Sequence, residues 1–296
     1  MSKIQEALRQ LKSSAATDAS SAKTRSKGFS GGASRSSVPI ARKKKFRFDG
    51  DKHHVEQKQL VEAGLLAPLD IAVPIADEFR QIKRPLISNA LRDGLDSGDN
   101  MNVIMIASAL PRSGKTFCSV NLAVSLSLER ELNVLLVDAD VAKPHISREF
   151  GLSGMPGLID VLLDDSMSIE DTLIRTDLND VQVLPAGRGH PQATELLASE
   201  RMSEVVNELA KRYPDRMIVV DSPPLLITSE ARALASQVGQ IALVVEAGET
   251  SHQTLVQVID VLDKEKAINL ILNKTRHSSN VGYYGGGYGY YGYEGG

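Results

Sequence analysis

The chain has 296 residues, 42% of them hydrophobic, and a formal net charge of −3. That is enough apolar material for one sizeable α/β domain with unpacked appendages, and the lone cysteine, Cys118, excludes an intrachain disulfide framework and suits a reducing compartment. No run approaches the ~18 to 20 apolar residues of a membrane span and no secretory signal opens the sequence, so a cytoplasmic protein is expected.

Charge is unevenly spread: residues 1–75 carry 14 Lys+Arg against 7 Asp+Glu, and the remainder 20 against 30. A basic arm on an acidic body points to an anionic partner such as a lipid surface. Residues 1–12 read as a short amphipathic helix, with Ser2 and Gln5 as a capping pair and Ile4, Leu8 and Leu11 on one face. It is too short to be stable alone, so it either folds on a partner or lies frayed against its own domain. Residues 13–47 form a flexible, Ser-rich basic linker with almost nothing to bury. Within 42–48, Arg42, Lys43, Lys44, Lys45 and Arg47 interleave with Phe46 and Phe48. That cluster suits contact with anionic membrane headgroups; nucleic-acid binding is the weaker reading, and a solvated charge run is the plain alternative. Residues 48–75 give no firm pattern, and the adjacent His53 and His54 would point apart on a regular element, so no metal site is read there.

A domain is expected over 76–278. It opens with a helical pattern over 76–92, where Ala76, Phe79, Ile82 and Leu86 are apolar, Pro85 interrupts, and Asp77, Arg80 and Lys83 follow at steps of three on a polar face. That face is read as a subunit contact, against the alternative of a solvated surface. Buried strands are expected at 103–106, 134–137, 181–184, 217–220, 241–245 and 270–272, with helical patterns between most of them. The alternation predicts an α/β fold: a mostly parallel sheet with helices on both faces and a nucleotide at the carboxyl ends of the strands.

After the first strand comes Ala109-Leu110-Pro111-Arg112-Ser113-Gly114-Lys115-Thr116, followed by a helix running to about Leu128. This is a phosphate-binding P-loop in its expected strand–loop–helix setting, with Ala109 in place of the usual first glycine. Pro111, Arg112, Ser113, Gly114, Lys115, Thr116 and Phe117 are its nucleotide-binding candidates, the N–H groups of all but the proline facing the polyphosphate of ATP. Lys115 would reach the β- and γ-phosphates and Thr116 would hold Mg²⁺. Two later strands end in carboxylates, at Asp138-Ala139-Asp140 and at Asp221-Ser222-Pro223-Pro224. Acids there lie at the rim where the phosphates are held, able to bind the metal or orient a nucleophile.

From about Pro74 to Lys274 the chain resembles the bacterial tyrosine autokinases of the polysaccharide-export type, near their PEP-CTERM/exosortase-associated branch. The likeness extends through Leu152–Leu163, Val183-Leu184-Pro185-Ala186-Gly187 and Glu195-Leu196-Leu197. The resemblance implies that Lys115 and Thr116 belong to Walker A, Asp138 and Asp140 to Walker A′, and Asp221 to Walker B. It makes Asp138 the base toward the tyrosine hydroxyl, puts Asp140 and Asp221 around the metal, and matches Asn273 to a residue that hydrogen-bonds adenine. It departs at Ala142, where the family often has Arg. It departs again at Asp77, Arg80 and Lys83, which stand for an EX2RX2R oligomer contact; Lys cannot reproduce a two-pronged Arg fork.

Residues 279–296 hold Tyr283, Tyr284, Tyr288, Tyr290, Tyr291 and Tyr293, spaced by glycines. Such a tail keeps each phenol accessible and reaches at most ~60 Å, enough for a neighbouring active site. The phenol, with a pKa of ~10, needs a base as it attacks, and Asp138 can serve. The expectation is an ATP- and Mg²⁺-dependent autokinase that phosphorylates its own tail, mainly between subunits of a homo-oligomer such as a ring. The ~−1.5 to −2 charges added per tyrosine would then loosen that oligomer. By resemblance it regulates exopolysaccharide synthesis or export, held peripherally at the inner membrane by a separate chain-length-determinant protein and reversed by a tyrosine phosphatase. The rival readings are a positioning or partitioning ATPase and a scaffold that binds ATP without turnover. The first carries a signature lysine where this chain has Leu110, and the second is suggested by Ala109 and Ala142.

Overall fold

The computed structural model describes residues 52–92, 100–212 and 216–275. The expected helix at 1–12, the linker, the basic cluster at 42–48 and the tyrosine tail lie outside them.

Seven strands form one sheet: β1 (Val103–Ser108), β2 (Asn133–Asp138), β3 (Ile174–Arg175), β4 (Gln182–Leu184), β5 (Arg216–Asp221), β6 (Gln240–Glu246) and β7 (Ala267–Asn273). Their order is β3-β4-β2-β5-β1-β6-β7, parallel throughout except for β3 against β4. The helices are α1 (Gln57–Glu62), α2 (Ala72–Arg92), α3 (Lys115–Ser127), α4 (His145–Glu149), α5 (Leu158–Leu163), α6 (Ala193–Leu197), α7 (Glu200–Arg212), α8 (Ser229–Gln237) and α9 (His252–Val261).

The central strands are apolar without a break because both faces of the sheet are covered. Every residue of β1 and of β5 is buried. The two-residue period of the strand then sorts side chains between two cores. Val103, Met105 and Ala107 pack with Leu135, Ile218 and Leu243 beneath Val205 and Leu209 of α7 and Leu234 of α8. Ile104 and Ile106 pack with Leu136 and Val219 beneath Val120, Leu122 and Leu126 of α3 and Phe79 and Leu86 of α2.

Helix α2 differs from expectation in two ways. It begins at Ala72 and runs unbroken through Pro85, whose ring faces outward. Lys83 is not on a shared polar face with Asp77 and Arg80. Six residues at ~100° each place it about a third of a turn from Asp77, and it is buried. Its Nζ donates to the carbonyl of Ser125 at 2.6 Å and pairs with Glu129 at 2.8 Å, closing the end of α3. Asp77 and Arg80 pair with each other on the surface.

Residues 52–66, which carry no firm sequence pattern, join the second core through Val55, Leu60 and Leu65. His53 bridges to Thr176 beside β3. The two histidines diverge: His53 Nε2 meets the Phe150 carbonyl at 2.8 Å and His54 Nδ1 meets Asp177 at 2.6 Å.

Candidate active site

The loop between β1 and α3 is built from left-handed turns and borrowed donors. Arg112 (φ 66°) and Gly114 (φ 92°) turn the chain into the N-terminus of α3, while Ala109 needs no positive φ. Oxygens of the loop are engaged: Ser108 Oγ donates to the Leu110 carbonyl at 2.6 Å, Lys274 Nζ to that of Arg112 at 2.7 Å, and Asn273 Nδ2 to that of Ser113 at 2.9 Å. A β-carbon on Gly114 would lie 2.1 Å from Asn273 Nδ2, so only glycine leaves room for that amide. With its oxygens held, the loop's N–H groups and the start of α3 are what it can offer an anion. The stretch after β5 braces it: Leu225 and Leu226 donate their N–H groups to the carbonyls of Ser108 and Ala109.

The charged groups gather at the strand ends. Asp138 and Asp221 close β2 and β5 in direct register. Lys115, buried at the first turn of α3, has its pKa lowered by burial against the opposing charges of Asp221 and Asp140. Asp221 accepts from Ser119 Oγ at 2.9 Å and also from the Thr116 hydroxyl; burial still pushes it up to about 6. Asp140 is raised by burial and drawn down by Lys115. Asp138 is fully buried, and burial together with the charge of Asp221 pushes it up to about 7. One of its oxygens, Oδ2, accepts from the backbone N–H (2.8 Å) and hydroxyl (2.7 Å) of Ser147; the other, Oδ1, is shielded and has no hydrogen-bond partner.

These residues fit magnesium carried on a nucleotide polyphosphate. Among the described residues no three His, Cys, Asp or Glu side chains form a metal cage. Mg²⁺ does not need one, because it takes one or two protein oxygens plus phosphate oxygens and water. Thr116, Asp140 and Asp221 supply such oxygens, and three acids against one lysine leave negative charge to neutralise. The orphaned Oδ1 of Asp138 marks where a further donor belongs.

Of the other candidates, Pro111 and Arg112 are exposed at the rim, Ser113 is buried in the loop, and Ala142 and Lys143 are exposed. The Phe117 ring turns away toward α2, its centroid 6.1 Å from that of Phe79, which leaves only its backbone for a nucleotide. Sequence reasoning missed Ser147 and Ser119. Their roles depend on Ala186 and Asp221, which only the fold brings beside them, and no local pattern marks either serine.

The family model described as AAA domain matches residues 101–274. The chain is 34% identical over 189 residues to the tyrosine-protein kinase YwqD of Bacillus subtilis (strain 168), spanning 62% of this chain and 78% of that protein. It is 27% identical to the tyrosine-protein kinase wzc of Salmonella typhimurium over 87% of this chain but only 34% of that longer protein. Among solved structures, the kinase domain of the Escherichia coli tyrosine kinase ETK superposes with a TM-score of 0.59 at 28% identity, covering 72% of this chain and 80% of that domain.

Proposed function

The chain belongs to the bacterial tyrosine-protein kinases within the AAA domain family, and on that premise we propose that it transfers the γ-phosphoryl group of ATP to its own C-terminal tyrosines. The observation that carries the reading is the buried, half-satisfied carboxylate of Asp138, in register with Asp221 at the strand ends, in a chain whose tail is almost wholly tyrosine and glycine.

In this reading the loop N–H groups and Lys115 hold the β- and γ-phosphates, and Asn273 turns from the Ser113 carbonyl to the adenine. Thr116, Asp140 and Asp221 hold Mg²⁺, which when bound would neutralise charge on the transferring phosphoryl group. Asp138 accepts the phenolic proton as the tyrosine oxygen attacks. Its raised pKa matches that of a base working near neutral pH. Tyr283, Tyr284, Tyr288, Tyr290, Tyr291 and Tyr293 are the acceptors, served mainly by a neighbouring subunit. The contact between subunits falls to Asp77 and Arg80, since Lys83 is occupied inside the fold.

Names of relatives support the wider setting, among them a succinoglycan biosynthesis transport protein of Rhizobium meliloti. We assign the chain a regulatory task in making or exporting an extracellular polysaccharide, reversed by a tyrosine phosphatase. Among the described residues no helix is long and apolar enough to cross a membrane. A separate membrane protein of the chain-length-determinant kind would bring it to the inner membrane.

Incubating the purified protein with ATP and Mg²⁺, then applying mass spectrometry to the C-terminal peptide, tests the proposal. Phosphate on the tail tyrosines that vanishes in Lys115→Ala is the expected result. Steady ATP hydrolysis with an unmodified tail would move the protein to the switch ATPases, and no turnover at all would leave the scaffold.

A further inference from the structure

We infer that Ser147 is a positioning residue for the phosphoryl transfer: it orients the Asp138 carboxylate so that the oxygen turned away from Ser147 meets the acceptor's proton. This rests on the role proposed above for Asp138.

Ser147 sits in α4, 3% exposed, and gives both its donors to a single oxygen of Asp138. The direction of its hydroxyl proton follows from a third bond, in which the backbone N–H of Ala186 reaches Ser147 Oγ at 2.9 Å. An amide N–H can only donate, so Oγ must accept from Ala186, and its one proton is left for Asp138. Two donors from one side fix the plane of the carboxylate and occupy the near oxygen. Only the far one, Oδ1, is free to accept.

The clamp is itself held. The carbonyls of Pro185 and Ala186 take the N–H groups of Leu158 and Ile159 at the start of α5, and Asp160 accepts from the N–H groups of Gly157 and Arg188. Bonds therefore run from the end of β2 through Ser147 into the loop after β4 and on to α5. Preorganisation of this kind matters most for a group that must be aligned at the moment of transfer. In the transfer the phenolic proton passes to Oδ1 as the phenolic oxygen bonds to the γ-phosphorus. The bond from that phosphorus to the β,γ-bridging oxygen breaks, and ADP leaves with its electron pair.

The test measures initial rates of tail phosphorylation on the full chain with ATP and Mg²⁺, for wild type, Ser147→Ala, Ser147→Thr, Asp138→Asn and the double variant Asp138→Asn/Ser147→Ala. Removing one hydrogen bond to a charged group should lower kcat about tenfold or more in Ser147→Ala while leaving the KM for ATP unchanged. Ser147→Thr, which keeps one donor and one acceptor, should return kcat to within about threefold of wild type. In the Asp138→Asn background, Ser147→Ala should cost less than about twofold, the non-additivity of two groups acting as one. A kcat for Ser147→Ala within about twofold of wild type, or the same loss in both backgrounds, would overturn the inference. An Asp138→Asn protein at full rate would remove the proposed base instead, so the two failures are distinguishable.

Discussion

Asp138 ties the stability of the fold to pH in a direction unusual for a carboxylate. Its pKa rises from the ordinary 3.8 to about 7 on folding, driven first by burial and then by the neighbouring Asp221, with the Ser147 bonds only partly opposing. The folded protein therefore binds this proton more tightly than the unfolded chain. The stabilisation is fully present below about pH 4 and is lost as pH rises through about 7. At ~1.4 kcal/mol per pH unit the gap amounts to about 4 kcal/mol. Asp138→Asn keeps the shape and an oxygen for Ser147 but never ionises, so it should stabilise the folded protein by up to about 4 kcal/mol at pH 8 and by almost nothing at pH 4. Urea unfolding of both proteins at several pH values, without nucleotide and with a chelator present, measures the difference. A gain independent of pH, or an Asn variant less stable at pH 8, would refute the account of Asp138 as a strained buried acid.

Two pairs of substitutions, each a disruptive change beside a mild one, test the supports of the site. A β-carbon on Gly157 would lie 2.2 Å from the Pro185 carbonyl oxygen and 2.6 Å from the Gly187 nitrogen, both backbone atoms. Gly157→Ala should cost about 3 kcal/mol or more in urea unfolding, whereas Gly189→Ala, with nothing near its β-carbon, should be close to neutral. Lys83→Met keeps the buried stem but removes the donor to Ser125 and the pair with Glu129, and should cost about 1–2 kcal/mol. The exposed Asp77→Asn should stay within about 0.5 kcal/mol, and equal effects at both positions would contradict the burial of Lys83.

Most of the sheet was readable because a parallel strand covered on both faces leaves an apolar run with no polar interruptions. Val103–Ile106 and Met217–Val220 are such runs. The exceptions follow from the same physics. β3 has two residues at the sheet edge, half-buried, and such a strand leaves no periodic trace. Pro85 read as a break because a proline inside a helix costs the backbone a donor and crowds the preceding turn. The packing of Phe79, Leu86 and Ala90 against α3 and the sheet carries the helix through it. Lys83 shows the limit of spacing arguments. Steps of three drift around a helix by ~60° each, so a stripe that begins in solvent at Asp77 ends beneath it at Lys83.

The candidate site divides along a similar line. Asp138 and Asp221 were visible since each lies where an apolar run stops, and a charged residue at that point has only the rim of the sheet to occupy; Lys115 was visible from the loop pattern between β1 and α3. Ser147 was not visible, because a serine in a short polar helix has no distinguishing pattern. Its significance arises only when α4 folds back and the loop after β4 supplies the N–H of Ala186. Asn273 was readable as a position, but its tie to Ser113 and its occupation of the space over Gly114 depend on β7 ending beside the P-loop, three strands' width from β5. The groups that would perform the chemistry are thus encoded locally, by where a strand must end. The groups that aim them are encoded only in the topology, and there a substitution that looks harmless in the sequence would reach the reacting atoms.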